Sequence, residues 1–106
     1  MYIDRILSKA VEEAQPFFSV TVITGPRRSG KTQLCRHLFP DYNYVNLEDL
    51  ETRNFAQKDP RAFLESFGKH VIIDEAQNVP HIFSAIQVKV DEDRDSRYII
   101  TGSANF

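Results

Sequence analysis

The chain has 106 residues, 42% of them hydrophobic and 26% charged, with a net charge of −2. That make-up is enough for one globular domain with a single modest core and too short for two. It excludes the overall basic field of a dedicated nucleic-acid binder, though not a local basic patch.

From the N-terminus, Ile3, Ile6, Leu7, Ala10, Val11 and Ala14 recur at helical spacing, predicting an amphipathic helix that Pro16 ends. Phe18 to Thr24 carries a β-branched run and reads as a buried strand. A glycine loop comes next, and then a helix from about Gly30 to Leu38, stopped near Pro40, with Leu34, Cys35, Leu38 and Phe39 as its apolar members. Tyr42 to Val45 is a second strand and Asp49 to Gln57 a short helix. Asp59-Pro60 supplies an N-cap followed by proline at the first helical position, after which Phe63, Leu64 and Phe67 share a face until Gly68. Val71-Ile72-Ile73 is a third strand. Pro80 to about Asp91 is a helix with Ile82, Phe83, Ile86 and Val90 inward, and Tyr98 to Thr101 is a fourth strand. The acidic run Asp91 to Asp95 reads as a solvated turn ahead of any cation site. Strands alternating with helices argue for an α/β fold with a parallel sheet covered on both faces.

Other features narrow the setting. Cys35 is the single cysteine, so no internal disulfide forms, and it reads as a small apolar helix residue. His37, His70 and His81 lack metal-ligand spacing, which gives zinc no support. No apolar leader follows Met1, and no run of about 18 apolar residues offers a membrane span. The expected location is the cytoplasm, with no membrane partner.

Three constellations carry chemistry. Gly25-Pro26-Arg27-Arg28-Ser29-Gly30-Lys31-Thr32 matches G-x-x-x-x-G-K-[ST] in full and lies between a strand and a helix. The glycines let backbone N–H groups turn inward around phosphate oxygens, and the helix N-terminus adds partial positive charge. Lys31 is expected to reach the β- and γ-phosphates and Thr32 to offer its hydroxyl to Mg²⁺. The expected nucleotide-binding stretch is thus Gly25 through Gln33, with ATP and Mg²⁺ as ligands. Arg27 and Arg28 raise the local positive potential, although mid-loop side chains can also simply face solvent.

The second constellation is Val71-Ile72-Ile73-Asp74-Glu75. An apolar strand ending in an acid places the carboxylate at the sheet's C-terminal edge, where open α/β sheets bind ligands. Asp74 is expected to hold Mg²⁺, directly or through water, and Glu75 to act as general base on the water that attacks the γ-phosphate. The bland alternative is two surface acids opening a turn. Third, Thr101-Gly102-Ser103-Ala104-Asn105 follows a buried strand. Ser103, then Thr101, then Asn105 are the candidates to hydrogen-bond the attacking water or the γ-phosphate, against the alternative of a plain turn.

With these elements in this order, the chain resembles the AAA-type P-loop ATPases, in particular the prokaryotic AAA-domain proteins with G-P-R-R-x-G-K-T, then D-E-A-Q, then T-G-S. The resemblance implies a three-layer P-loop sheet, mostly parallel, with strand order 1-4-3-2. It implies Walker A roles for Gly25, Gly30, Lys31 and Thr32, Walker B roles for Asp74 and Glu75, and a sensor role for Ser103 or a neighbour. Asn46 matches the place where such ATPases keep a polar residue that restrains the catalytic glutamate, although a strand-end asparagine is more often a turn former. Relatives of this kind continue into a fifth strand, an arginine finger and a helical lid. Residues 1–106 are therefore expected to be the N-terminal part of an AAA-type ATPase domain. The first strand is then an exposed sheet edge rich in valine and isoleucine, expected to lead to dimerisation or aggregation.

Rival functions are weighed on sequence features. A helicase is suggested by Asp74-Glu75-Ala76-Gln77, and nucleic acid stays open as a partner, but only 43 positions separate Lys31 from Asp74 and no Ser-Ala-Thr follows the fourth strand. A phosphotransferase would need an acceptor-binding lid, and a GTPase an Asn-Lys-x-Asp motif; the sequence shows neither. A module that binds nucleotide without turnover is the remaining alternative.

Overall fold

The computed structural model describes residues 18–25 and 30–102, together with Lys9 and Glu13. The helix expected over residues 3–14, apart from those two positions, lies outside the described residues, as do Pro26, Arg27, Arg28 and Ser29 of the glycine loop and Ser103 and Asn105 of the last segment.

The described chain runs β1 (Val20–Thr24), α1 (Lys31–Leu38), β2 (Asn43–Asn46), α2 (Leu50–Lys58), α3 (Pro60–Ser66), β3 (His70–Asp74), a 3₁₀ turn (Ala76–Asn78), α4 (Ile82–Glu92) and β4 (Arg97–Gly102). The four strands pair in parallel in the order β1-β4-β3-β2, the order implied by the family resemblance. Parallel pairing needs a crossover between successive strands, which the intervening helices supply.

Local chemistry sets most of the boundaries. Asp49 caps α2 by accepting from the Thr52 N–H at 3.0 Å and the Thr52 hydroxyl at 2.8 Å. Asp59 closes α2 and opens α3, accepting from the Ala62 N–H at 3.1 Å with Pro60 at the first position, as the sequence predicts. Two boundaries move. The helix expected from Pro80 starts at Ile82, because the Ile82 N–H bonds the Val79 carbonyl and keeps that stretch in a tight turn. The second strand begins at Asn43 instead of Tyr42, since the Tyr42 N–H is taken by the Phe39 carbonyl.

Side chains alternate between the sheet's faces, and each face has its own core. On one side Val45, Val71, Ile73, Tyr98 and Ile100 pack with Phe63, Leu64, Ile82 and Ile86 of α3 and α4. Phe63 is completely buried, with Phe55 and Phe67 edge-on at 5.6 and 5.1 Å. On the other side Ile23, Ile72 and Ile99 pack against Cys35 of α1, with Leu38, Phe39, Tyr42 and Tyr44 around them. The result is a helix–sheet–helix sandwich in which α1 has one face of the sheet and the larger core lies on the other.

Candidate functional site

Because all four strands run the same way, their C-terminal ends share one edge of the sheet. Thr24, Asn46, Asp74 and Gly102 end the strands there, and the Gly25 N–H donates to the Gly102 carbonyl at 3.2 Å, which ties the start of the glycine loop to β4. Gly30 stands at φ 90°, ψ 4°, a left-handed conformation that glycine adopts without a β-carbon clash. As N-cap residue it has no side chain to cover the first turn of α1, and no acid lies in that turn. Uncapped N–H groups and the helix dipole make such a terminus receptive to anions. Lys31, the first residue of α1, is only 4% exposed. Gln33 lies on the outer side of the same helix.

Asp74 is the centre of the arrangement. It is 6% exposed, and its carboxylate accepts three hydroxyl hydrogen bonds. Thr32 Oγ1 and Tyr44 OH donate to Oδ2 at 3.0 and 2.8 Å, and Thr101 Oγ1 donates to Oδ1 at 2.5 Å. A carboxylate so far from water is costly unless its oxygens are met by donors, and here the donors come from α1, β2 and β4. Strand alternation explains the convergence, since Asp74 and Ile72 face α1, as do Thr101 and Ile99 on the neighbouring strand. The Tyr44 phenol is pushed well up, chiefly by burial and then by its bond to Asp74; the nearby Arg36 guanidinium works the other way. Burial, and behind it the charge of Asp74, pushes the Cys35 thiol up to about 11. Cys35 is fully buried, a packing residue as expected.

Glu75 follows directly, at φ 56° and ψ 46°, the single positive-φ residue other than glycine among the described residues. Holding a side-chain-bearing residue there costs about 1–2 kcal/mol, a kind of strain that collects at functional sites. The side chain is 6% exposed, and Gln77 Nε2 donates to its Oε1 at 2.7 Å. The strained turn keeps Glu75 beside Asp74 instead of sending it onward along the strand.

Asn46 is at the same edge, in register with Asp74, but its Oδ1 accepts from the Glu48 N–H at 2.9 Å, a local turn contact. The carboxamide seen on Glu75 belongs to Gln77. Thr101, expected to face the attacking water or the γ-phosphate, is fully buried and donates to Asp74 instead, because its side chain alternates onto the inner α1 face of β4. Three contributors were not singled out from sequence. Tyr44 reaches Asp74 from β2, Gln77 holds Glu75, and Arg53 of α2 pins the loop after β2 by donating to the Leu47 and Glu48 carbonyls at 3.0 and 3.2 Å. Tyr44 could have been found from the alternation of β2, which puts it on the same sheet face as its register partner Ile72 and, two residues on, Asp74.

Among the described residues no group of three or more His, Cys, Asp or Glu could hold a metal. A single carboxylate beside a threonine hydroxyl suits Mg²⁺, which binds through one or two carboxylates plus water and substrate phosphate instead of an all-protein cage. No described helix is long and apolar enough to cross a membrane.

Comparison with known proteins gives a family and a fold. The profile of a family described as AAA domain matches residues 18–106. The uncharacterised proteins Rv2008c of Mycobacterium tuberculosis and Mb2031c of Mycobacterium bovis are each 33% identical to the chain over 90 residues, covering 81% of it and 20% of theirs. The chain thus spans about a fifth of the length of the curated relatives it matches. Among solved structures, the Walker-type ATPase PABY2304 of Pyrococcus abyssi is similar with a TM-score of 0.63 and 16% identity, over 97% of this chain and 45% of that one. At that identity the likeness is one of fold.

Proposed function

The chain belongs to the AAA domain family, and from that premise we propose that it binds ATP with Mg²⁺ at the C-terminal edge of its sheet and hydrolyses the γ-phosphate bond. Family membership supports a nucleotide-binding, ATPase-like domain. The observation that carries the finer reading is the 3.0 Å hydrogen bond from Thr32 to Asp74, which joins the glycine-loop lysine-threonine pair to an acid 42 residues further on. The meeting of two segments so distant in sequence supports the reading.

In this reading the glycine-loop amides and the first turn of α1 bind the β- and γ-phosphates, and Lys31 sets its ammonium against their charge. Thr32, through its hydroxyl, and Asp74 would hold Mg²⁺, which would supply charge neutralisation at the phosphates. Glu75 takes a proton from the attacking water. The hydroxide oxygen bonds to the γ-phosphorus, and the bond from that phosphorus to the bridging oxygen breaks, leaving ADP and phosphate. Ser103, proposed to hydrogen-bond the attacking water or the γ-phosphate, and Asn46, at the end of β2, complete the proposed set. The 2.7 Å hold of Gln77 on Glu75 favours a second reading, in which the resting chain binds nucleotide and turns it over only when that contact loosens.

Hydrolysis is proposed to drive or switch the regions that lie beyond the matched fifth of the longer relatives. β1 is an outer strand with Val22 49% exposed, and we take this edge as the place where a second copy pairs. The function is tested by calorimetric titration with ATP and Mg²⁺. Lys31→Ala should bind about tenfold to a hundredfold more weakly, the loss expected when hydrogen bonds to a charged group go. Equal affinity in the two proteins would remove the phosphate-loop assignment.

A further inference from the structure

We propose that Tyr44 is a positioning residue for magnesium: its phenol O–H fixes the Asp74 carboxylate in the orientation that the cation and its water shell require. The proposal rests on the ATP-and-magnesium reading of the same edge. Thr101 occupies Oδ1 of Asp74, while Thr32 and Tyr44 share Oδ2. Thr32 and Thr101 sit beside Asp74, on the opening turn of α1 and on the adjacent strand. Tyr44 does not. Its backbone pairs with Ile72, two residues short of Asp74, so only a long side chain tipped with a donor can span the gap. Phenylalanine would match the packing and lose the bond.

The ring is itself held. The Arg36 guanidinium lies 4.5 Å from the Tyr44 ring centre. Arg36 follows Thr32 by four residues, one helical turn along the same face of α1. One face of α1 therefore grips Asp74 through Thr32 and Tyr44 through Arg36, and the closed circuit α1–β3–β2–α1 leaves the carboxylate little freedom to rotate. A phenol that merely satisfied a buried carboxylate would affect folding stability alone. A phenol that orients a metal ligand should also affect the metal.

The experiment is calorimetric titration of ATP into the wild-type protein, Tyr44→Phe, Tyr42→Phe and Lys31→Ala, once in EDTA and once across a range of Mg²⁺ concentrations. For Tyr44→Phe the Mg²⁺ concentration giving half of the magnesium-dependent gain in affinity should rise about tenfold or more, the usual cost of losing a hydrogen-bond partner behind a metal ligand. Its affinity for ATP in EDTA should stay within about twofold of wild type. Tyr42→Phe, the same loss of a phenol O–H just before β2 and at the opposite end of the strands, should leave the magnesium requirement where it is. Arg36→Ala, an exposed change that keeps the phenol, should raise the requirement by about two- to fivefold, the scale of one surface cation–π contact, and serves if Tyr44→Phe does not fold. An unchanged magnesium requirement in both Tyr44→Phe and Arg36→Ala overturns the proposal, as does an equal rise in Tyr42→Phe. If Lys31→Ala binds ATP as well as wild type, with and without magnesium, the ATP site itself has been misassigned and both readings fall.

Discussion

The two faces of β3 make a natural comparison. Val71 and Ile73 look into the larger core with α3 and α4, while Ile72 and Asp74 look toward α1. One face is continuous apolar packing, whose stability is proportional to the area removed from water. The other starts as the same kind of packing at Ile72 and ends, one alternation later, in a buried carboxylate that needs three hydroxyl donors. The lesson is a division of labour along a single strand. The side away from α1 is given over to packing, and the last residue on the α1 side is the buried acid to which the proposed chemistry is assigned.

The sharpest way to break that division is to damage each side and look for leakage to the other. Phe63→Ala, on the packed side, should destabilise the protein by about 3–5 kcal/mol, the usual range for deleting a buried phenylalanine, as read by urea unfolding. Below its lowered melting point the variant should retain ATP affinity. Lost affinity with the fold intact would mean that the two faces are coupled. On the other side Glu75→Gln should keep ATP binding and lower hydrolysis by roughly a hundredfold or more, the contribution of a general base, measured by phosphate release under saturating ATP. Undiminished turnover would take Glu75 out of the mechanism.

The same contrast explains what the sequence made legible. The packed face announced itself through periodicity: Phe63, Leu64 and Phe67 on one helix, Ile82 and Ile86 on another, and a β-branched run at Val71 to Ile73. That Thr32 and Asp74 belong to one site was also readable, from a full G-x-x-x-x-G-K-[ST] match after one strand and an acid ending another, and the two side chains do meet. Tyr44 was not, since a tyrosine in a strand reads as one more apolar residue until the register shows what lies two positions along its neighbour. The bond from Thr101, the second candidate after Ser103 for the water or the γ-phosphate, to Asp74 was hidden for a related reason. Sequence places Thr101 at the end of a strand, and only the pleat decides whether its hydroxyl faces ligand or Asp74. The left-handed turn at Glu75 gave no signal at all, because glutamate is not a residue type associated with positive φ.

That turn supplies a subtler test of where strain resides. At ordinary positions alanine is more stabilising than glycine, because it restricts the unfolded chain. At position 75 the order should invert. Glu75→Gly and Glu75→Ala both lose the carboxylate and its bond from Gln77, but only alanine keeps a β-carbon in the left-handed region. Glycine should come out about 1 kcal/mol the more stable of the two, by thermal or urea unfolding. An alanine variant as stable as the glycine variant would show that the turn relaxes without strain and that position 75 is no different from the packed face.

The smallest effect expected is a pH dependence that belongs to the α1 face. The Cys35 thiol is raised from 9.0 to about 11, first by burial and then by Asp74. A raised acid constant means that the folded state disfavours the thiolate. Its contribution to stability is therefore complete below pH 9, where the unfolded thiol is still protonated, and is lost as pH rises from 9 through 11. Tyr44 acts with the same sign from its ordinary value of 10.0 upward, since its phenol is raised as well. Cys35→Ala should flatten the fall in stability between pH 9 and 11, and adding Tyr44→Phe should flatten the part above pH 10 further, while Phe63→Ala lowers the whole curve without altering its slope. An alkaline slope identical in wild type and Cys35→Ala would show that the thiol ionises as readily in the fold as out of it, and that the α1 face is wetter near Asp74 than its packing implies.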